Sequence, residues 1–310
     1  MACIATLTLN PAIDGAAGVD HVAHTVKLRT HGQRFDPGGG GINVARVIAR
    51  LGGEVEAIYL AGGVTGPLLD GLVARAGVAR RRLPIAGDTR ISLVIREDAS
   101  GHEYRFVPEG PEVTAAESAA ALADVAALDC EWLVLSGSLP RGLDADFMAQ
   151  IVRTAVARGQ QVVLDTSGPA LAACLAVGGI CLAKPSLDEL EALAGGPLPD
   201  AGALAAAARR VVDAGGARML AVTLGGDGGL LVTREGELRL PALPVRHASA
   251  VGAGDSFTAA MTWALANRRD PETAFRLGLA AGAAAVMTPG TDLAHADDIR
   301  RLAASIGVQL

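Results

Sequence analysis

Lysine and aromatic residues are scarce in this chain of 310 residues. Only two of its 27 basic residues, Lys27 and Lys184, are lysines, and aromatic residues make up 3% of the sequence. The net charge is −6 and no basic block is interleaved with aromatic residues, so the composition argues against a nucleic-acid-binding surface. A lysine kept in an arginine-rich background indicates a position that prefers a compact ammonium group, although chance is an alternative for either one.

The four cysteines do not have the spacing of metal ligands. Cys3, Cys130, Cys174 and Cys181 each fall in or near an apolar segment, which predicts buried thiols in a reducing cytoplasm. The amino terminus has no basic stretch, and Asn10-Pro11 interrupts its apolar start, so we expect no signal peptide. No apolar run of about 20 residues lacks both charges and turn signals, and therefore no transmembrane helix is predicted.

Strands and helices alternate from about residue 55 onward, which is typical of α/β proteins. Polar residues recur where the predicted strands end, and in open α/β sheets the carboxyl ends of the strands form the ligand crevice. The sequence therefore predicts a Rossmann-like, mainly parallel sheet that is covered by helices. The residues at these strand ends are Asp14, Ser136, Ser138, Asp165, Lys184 and Thr223.

Two other stretches have the pattern of half-exposed strands. Residues 19–35 mix apolar and polar side chains, and residues 89–107 fit a hairpin with its turn at 98–101. Together they predict a small antiparallel sheet that stands off the main sheet, as a lid over the site or as a dimer face. The basic run Arg80-Arg81-Arg82 between them is most simply interpreted as a solvated turn.

The segment from Gly252 to Asp255 precedes an apolar run with helical spacing. Gly252, Ala253 and Gly254 allow close approach of the backbone to a ligand, and a helix N-terminus offers free N–H groups to an anion. In the first helical turn, Asp255 could take a proton from a substrate hydroxyl, which suits phosphoryl transfer to an alcohol. Because acids are common in first turns, the spacing alone leaves a purely structural role open.

Four glycines, Gly38 to Gly41, lead into a second amphipathic helix. Their spacing does not match the dinucleotide fingerprint, and the chain has no Gly-Lys-Ser/Thr of a P-loop. Asn43, in the first turn of this helix, can offer a donor and an acceptor to a sugar hydroxyl, and a flexible helix-capping turn is the alternative. Asp14, placed in the loop after the first strand, is equally open between hydroxyl binding and capping a turn.

Two further motifs each have a functional and a structural interpretation. Lys184 stands at a strand end, where it suits nucleotide phosphates, and Glu189 is placed to hold Mg²⁺ through water. Ser186 and Glu189 also have the spacing of a capping box, which the spacing alone favours. Residues 225–229, Gly-Gly-Asp-Gly-Gly, suit either a nucleotide lying against bare backbone or a hairpin turn.

These motifs together resemble the phosphofructokinase B family of ribokinase-like carbohydrate kinases over essentially the full chain. Residues 38–45 match the first signature of the family and residues 251–255 the second. Residues 104–106 and 136–140 resemble the branch of the minor bacterial 6-phosphofructokinases. Relatives that act on fructose 1-phosphate or tagatose 6-phosphate usually carry lysine where this chain has Gly40, which favours fructose 6-phosphate.

The resemblance implies one ribokinase-like domain over residues 1–310, with lid segments at about 15–35 and 88–108 and a homodimer formed through the lids. It implies a cytoplasmic, glycolytic enzyme that uses ATP to phosphorylate fructose 6-phosphate at O1. Asp255 would be the general base, and the amides of Gly252, Ala253 and Gly254 the anion hole. The implied sugar-phosphate ligands are Asp14, Lys27, Gly39, Gly40, Asn43, Arg90, Arg105 and Ser138.

The resemblance also implies sites for the nucleotide, for Mg²⁺ at Glu189 and for a monovalent cation, K⁺. The alternatives are a 1-phosphofructokinase, a tagatose-6-phosphate kinase or a non-catalytic sensor of nucleotides or sugar phosphates. The chain departs from the family at Ser186, which replaces Asn, and at Asp292, where the branch tends to have Arg; Ala285 and Thr288 also differ. The nucleotide residues are Lys184, Ser186, Thr223, Gly225, Gly226, Gly228, Leu279 and Ala283, and the cation residues are Ser249, Val251, Ala285, Thr288 and Gly290.

Overall fold

A computed structural model describes residues 3–310, so the first two residues of the expected 1–310 domain lie outside the described part. The strands are β1 (Ile4–Thr8), β2 (Ala12–Val19), β3 (His31–Gly38), β4 (Val55–Gly62), β5 (Ala79–Ile85), β6 (Arg90–Glu97), β7 (Glu103–Phe106), β8 (Trp132–Ser136), β9 (Gln161–Asp165), β10 (Ile180–Ala183), β11 (Ala217–Thr223), β12 (Gly229–Thr233) and β13 (Glu237–Leu240).

Ten α-helices and one 3₁₀ turn, Gly225–Asp227, connect these strands within the described residues. None of these helices is both long enough and apolar enough to span a bilayer. The helices are α1 (Gly40–Arg50), α2 (Gly66–Arg75), α3 (Ala115–Ala126), α4 (Ala145–Ala157), α5 (Gly168–Val177), α6 (Leu187–Ala194), α7 (Ala201–Asp213), α8 (Ala253–Ala266), α9 (Pro271–Val286) and α10 (Ala296–Ser305).

The main sheet has nine strands in the order β13-β12-β11-β10-β9-β8-β1-β4-β5. Its strands pair in parallel from β11 to β5, whereas β12 and β13 add an antiparallel edge. The predicted mainly parallel sheet is therefore confirmed. Parallel neighbours need crossover connections, which explains why helices follow most of these strands.

Helices cover both faces of the main sheet. One apolar core joins the sheet to α3, α4, α5 and α7, and the other joins it to α1, α8, α9 and α10. Because both faces are covered, a central strand such as β8 is buried at every position and its sequence shows a continuous apolar run. The carboxyl ends of the parallel strands are left at one open edge.

The second sheet has four strands in the order β3-β2-β6-β7 and forms the lid. The outer pairs are antiparallel hairpins, but β2 and β6 pair in parallel, so the sheet is mixed and the expected purely antiparallel arrangement is wrong. The reason lies in the topology. β2 and β6 each follow a parallel strand of the main sheet, β1 and β5, and so both leave the same edge in the same direction.

Three local predictions also need correction. The strands expected within residues 19–35 are β2 and β3, which lie earlier and later, and residues 20–30 between them have irregular structure. Asp14 consequently lies within β2 and not in a loop. The run Arg80 to Arg82 is part of the edge strand β5, where Arg81 donates to Glu56 of β4, 3.0 Å away. Charged side chains suit an exposed edge strand, because they discourage pairing with other chains.

Candidate active site

The N-terminus of α8 forms the centre of the site. Its N-cap, Gly252, has φ = 72°, a left-handed conformation that favours glycine, and a Cβ there would lie 2.3 Å from Leu293 Cδ2, so any other residue would also require Leu293 to shift. No side chain of the described residues caps this first turn. The first amide groups of α8 therefore remain available to an anion, and the positive end of the helix dipole favours one.

Asp255 lies in this first turn and contacts the other glycine-led helix. Asn43 Nδ2, on α1, donates a hydrogen bond to Asp255 Oδ2 at 2.9 Å. Burial and the negative charge of Asp165 raise the pKa of Asp255 to about 7, while the Asn43 hydrogen bond and Lys184 oppose the rise. A carboxyl group that titrates near neutral pH is well suited to accept a proton from a hydroxyl group and to release it again.

The N-terminus of α1 packs too closely against the main sheet for side chains. Gly39 is its N-cap with φ = 106°, and a Cβ there would lie 2.7 Å from Thr8 Cγ2. A Cβ on Gly40 would lie 2.2 Å from Ser136 Oγ, at the carboxyl end of β8. The glycine run therefore brings bare backbone, with Asn43 one turn on, to the open edge of the sheet.

The lid contributes a carboxyl group to the same region. Asp14 stands opposite Asp36 in the β2–β3 pair, and a Cβ on Gly38 would lie 1.9 Å from Asp14 Oδ2. Burial raises the pKa of Asp14 to about 6, and the nearby Arg90 and Arg46 partly oppose this. Asp14 can thus accept hydrogen bonds from substrate hydroxyls once ionised, with a cation beside it.

The other expected sugar-phosphate residues differ in how far the single chain brings them together. Arg90 is held by backbone carbonyls, donating to Asn10 O at 2.8 Å and to Pro108 O at 2.9 Å. Ser138 Oγ accepts from Asn10 Nδ2 at 3.3 Å. Two of the expected cations do not contact the other expected residues. The exposed Arg105 pairs with its neighbour Glu103, and the exposed Lys27 forms no hydrogen bond or ion pair with residues 3–310.

Lys184 is buried beside the N-terminus of α8. Its Nζ lies 3.1 Å from Asp165 Oδ1 and 3.4 Å from the position that a Cβ on Gly254 would take. Burial alone would lower the pKa of Lys184, but the negative charge of Asp165 and its hydrogen bond more than compensate. The pKa is therefore raised overall, and the ammonium group stays charged. Thr258 Oγ1 fixes the other oxygen of Asp165 with a 2.8 Å hydrogen bond.

Sequence reasoning had noted Asp165 only as a strand-end residue and had passed over Thr258. The partnership of Asp165 with Lys184 follows from two adjacent parallel strands, β9 and β10, that end side by side. Strand order would have been needed to find it. Thr258 lies one turn beyond Gly254 in α8, and its i, i+4 spacing was the available signal.

A cavity of about 600 Å³ opens next to the α8 N-terminus. Six of the eight expected nucleotide residues line it, together with Ala253 and Gly254, whereas Lys184 and Ser186 do not. Sequence reasoning missed its further wall, residues 242–245 and His247, whose signal was the apolar run Pro241-Ala-Leu-Pro-Val245 after β13. The lining nucleotide residues are Thr223, Gly225, Gly226, Gly228, Leu279 and Ala283.

Both structural alternatives for the remaining motifs are realised. Ser186 and Glu189 form a complete capping box, with Ser186 N donating to Glu189 Oε2 at 2.8 Å and Glu189 N donating to Ser186 Oγ at 3.2 Å. The second oxygen of Glu189 stays outside that box, so the residue still fits a water-mediated Mg²⁺ contact. Residues 224–228 connect the antiparallel strands β11 and β12, and three of them, Gly225, Gly226 and Gly228, also line the cavity.

Four of the residues expected at a monovalent cation lie in the loop that leads into Gly252 or at the end of α9: Ser249, Val251, Ala285 and Thr288. The fifth, Gly290, lies beside Arg34 and Ala16 of the lid. Ser249 N donates to Val286 O at 3.2 Å, which joins this loop to the end of α9. Ser249 and Thr288 are both buried, and Thr288 Oγ1 donates to Ala285 O at 2.8 Å. The set offers buried hydroxyl and carbonyl oxygens, which are ligands that suit K⁺.

Solved structures share this arrangement of sheets. Phosphofructokinase-2 from Escherichia coli in complex with potassium superposes with a TM-score of 0.95 at 39% identity, covering 99% of either chain. The same protein in complex with fructose-6-phosphate gives a TM-score of 0.93 at 38% identity, covering 98% of this chain and 99% of that one. A tetrameric inhibited form of that protein gives 0.93 at 38% identity, covering 99% of both.

Sequence comparison leads to the same family. An ATP-dependent 6-phosphofructokinase isozyme 2 from Mycobacterium tuberculosis is 42% identical over 300 residues, which are 96% of this chain and 88% of that protein. The profile of the pfkB family carbohydrate kinases matches residues 7–298. The family resemblance inferred from the two glycine motifs is thereby confirmed, and the chain belongs to the pfkB family of carbohydrate kinases.

Proposed function

We propose that this chain uses ATP to phosphorylate fructose 6-phosphate at O1, giving fructose 1,6-bisphosphate. The observation that carries the proposal is the position of Asp255. Its carboxyl group contacts Asn43 on the side of Asp14 and the lid, and it directly follows Gly254, which lines the large cavity. A base placed between a hydroxyl-binding side and a nucleotide-sized cavity suits phosphoryl transfer.

In the proposed reaction, Asp255 accepts the proton of the C1 hydroxyl as that oxygen attacks the γ-phosphorus of ATP. The new O–P bond forms while the bond to the β–γ bridging oxygen breaks, and ADP leaves with that electron pair. The amides of Gly252, Ala253 and Gly254 and the ammonium of Lys184 stabilise the charge on the transferring group. Because the base must be ionised and its pKa is about 7, the rate should fall as the pH drops through 7.

The remaining expected residues have supporting roles in this proposal. Mg²⁺ bound with ATP would neutralise phosphate charge, and Glu189 would hold it through water. A K⁺ ion among Ser249, Val251, Ala285, Thr288 and Gly290 would stiffen the loop before Gly252. Arg90, Arg105 and Lys27 would neutralise the 6-phosphate, the last two after movement of the lid or assembly with a partner. The cavity residues would hold the adenosine part of ATP.

The preference for fructose 6-phosphate rests on similarity and on space at Gly40. The Mycobacterium tuberculosis relative is named a 6-phosphofructokinase, and the Escherichia coli phosphofructokinase-2 is described in complex with fructose-6-phosphate. At Gly40, a Cβ would already lie 2.2 Å from Ser136 Oγ, so a lysine in that position would require Ser136 to move. The chain thus favours the substrate class whose enzymes keep glycine there.

An ADP-release assay with MgATP and K⁺ tests the proposed substrate. We expect kcat/KM to be highest for fructose 6-phosphate among fructose 6-phosphate, fructose 1-phosphate, tagatose 6-phosphate and unphosphorylated fructose. A preference for another phosphosugar would keep the mechanism and overturn the substrate. Binding of ATP without turnover of any sugar would favour the sensor hypothesis.

The proposal includes a homodimer formed through the lids. Register places Phe35, Gly15, Leu93 and Phe106 in one row across all four lid strands, on the face opposite Asp14. The three large side chains of this row are 40%, 38% and 57% exposed, respectively. An apolar row of this kind on a small sheet is suited to pack against the same row of a second copy.

Phe106→Glu should convert the dimer to a monomer. The carboxylate would be forced into an apolar interface, where an unpaired charge is costly. Sedimentation velocity of the wild type and the variant measures the change, and Val64→Glu serves as the control for an added charge, since Val64 is 86% exposed and lies between β4 and α2, outside the apolar row. A Phe106→Glu protein that keeps the wild-type assembly, dimeric or tetrameric, would place the interface elsewhere.

Two organisational predictions belong to the same proposal. The first is that residues 1–310 act as one domain into which the lid segments are inserted. The second is a cytoplasmic location, for which the free thiols of Cys3, Cys130, Cys174 and Cys181 are the support. Cys174 and Cys181 are buried as predicted, whereas Cys130 is half-buried and the prediction is wrong for Cys3, which is exposed.

A further inference from the structure

Arg46 is a buried cation directly behind the pair formed by Asn43 and Asp255. It lies one helical turn after Asn43 on α1, at the i, i+3 spacing that brings side chains together, and only 6% of it is exposed. Its Nη1 donates to Pro37 O at 2.9 Å and to Asn43 Oδ1 at 3.2 Å. An unbroken chain of hydrogen bonds therefore runs from Arg46 through Asn43 to Asp255.

The side-chain amide of Asn43 could in principle adopt two orientations, related by a 180° rotation, between Arg46 and Asp255. Its oxygen and nitrogen ends have nearly the same shape, but only the nitrogen can donate to a carboxylate. A guanidinium group has donors and no acceptor, so the end of the amide that faces Arg46 must be the oxygen. The nitrogen is then forced to face Asp255, where it donates at 2.9 Å.

We propose that Arg46 is a positioning residue for catalysis, which fixes the Asn43 amide so that it donates to the carboxylate of Asp255. The inference rests on the proposed function, in which Asp255 is the base. Without the guanidinium, the amide is free to turn its oxygen toward Asp255. That orientation would repel the ionised carboxylate, misalign it and favour its protonated form.

The stability of the fold does not by itself require a guanidinium group at this buried position. Burying a guanidinium group costs free energy, and an apolar side chain of similar size commonly serves a core as well or better. Here the cost is offset by Asp36, whose Oδ1 lies 3.8 Å from Nη2, and by the carbonyl of Pro37. The charged groups that face Arg46 are Asp36, Arg50, Asp292 and Asp14, and those that face Asp255 are Asp165, Lys184 and Asp14.

Arg46→Met tests the proposal, because methionine keeps an unbranched side chain and removes the donors. We expect kcat to fall roughly 10–100-fold, the usual scale for a residue that orients a catalytic partner, with KM for ATP nearly unchanged. Loss of the donated hydrogen bond should also move the acid limb of the kcat/KM–pH profile to higher pH. Arg46→Lys should recover part of the activity, since an ammonium can still donate to Asn43 Oδ1.

A double-mutant cycle separates positioning from packing. If Arg46 acts through Asn43, Asn43→Ala and the double variant Asn43→Ala/Arg46→Met should have equal kcat values and equal acid limbs. Arg50→Met is the matched control on the same helix: Arg50 donates to Leu293 O and Ala294 O, and its loss should leave the acid limb in place. Additive effects, or an Arg46→Met acid limb at its wild-type pH, would overturn the proposal.

The same series distinguishes this inference from the proposed function. Asp255→Asn serves as the reference: if it turns over substrate as the wild type does, the assignment of the base has failed. If Asp255→Asn is inactive while Arg46→Met has wild-type kcat and pH dependence, only the role of Arg46 has failed. Circular dichroism and thermal unfolding of each variant show that the compared proteins are folded.

Discussion

Asp255→Asn should lower kcat by roughly 10²–10⁴-fold while ATP still binds and the protein still folds. The amide keeps the shape of the carboxyl group and can stay next to Asn43, but it cannot take the proton of the sugar hydroxyl. The anion site for the transferring phosphoryl group remains, because it is made of backbone amides and the ammonium of Lys184. Single-turnover kinetics measure the chemical step, and calorimetric titration measures ATP binding.

The same substitution should stabilise the fold at alkaline pH. The pKa of Asp255 in the folded protein, about 7, lies above its ordinary value of 3.8, so the folded state holds this proton more tightly than the unfolded state. Its contribution to stability is therefore complete below about pH 4 and is lost as the pH rises through 7. Asparagine never ionises, and we expect Asp255→Asn to unfold at a higher temperature than the wild type at pH 8 but not at pH 4.

A matched control strengthens this test. Asp124→Asn removes an exposed carboxylate from α3, a helix that carries none of the proposed site residues, and it should leave kcat at the wild-type value. Full turnover by Asp255→Asn would remove the residue from the mechanism. An unfolding temperature that falls at pH 8 would show instead that the carboxylate of Asp255 stabilises the fold.

Local sequence pattern predicted most elements and the small motifs of the site, because these depend on neighbours in the chain. The capping box of Ser186 and Glu189, for example, forms as its spacing indicates. Long-range contacts were out of reach. Asn43 and Asp255 are 212 positions apart, and the sequences of α1 and α8 do not indicate that the two helices contact each other.

The sequence pattern gave wrong or weak predictions of secondary structure at three places. The charge of the run at Arg80 indicated a turn, whereas an edge strand accepts the same charges on its solvent side. Helix α5 gives little signal in the sequence, because it is apolar all round and shows no helical period. The parallel pairing of β2 with β6 depends on where β1 and β5 end, which only the strand order reveals.

Lys184→Met should abolish most activity and destabilise the protein, for two separable reasons. The methionine leaves Asp165 buried without its cation, and breaking a buried pair in this way costs about 3–5 kcal/mol. It also removes an ammonium group from the edge of the anion site, which should lower kcat by about 10²–10³-fold. Urea unfolding measures the first effect and steady-state kinetics with MgATP the second.

The double variant Lys184→Met/Asp165→Leu separates the two effects. Replacing both charges by apolar groups removes the unpaired carboxylate, and Thr258 Oγ1 keeps an acceptor in Gly254 O at 3.0 Å. Most of the lost stability should return, because apolar replacements of a whole buried pair are often neutral. The activity should stay low, since no cation has been restored. Recovery of both together would mean that Lys184 serves only the fold.

Lys27, the other lysine of this arginine-rich chain, provides the contrasting control. Lys27 is exposed on the irregular segment 20–30, so Lys27→Met should leave the free energy of unfolding within about 0.5 kcal/mol of the wild-type value. If it meets the sugar phosphate, its loss should raise KM for that substrate and spare ATP. Lys184→Arg should lose most of the activity, because the forked guanidinium group has little room beside Gly254. Lys27→Arg should keep the wild-type activity, because the exposed position has space for it. Tolerance of arginine at Lys184 would show that the arginine-rich background, and not the chemistry of the site, explains which lysines remain.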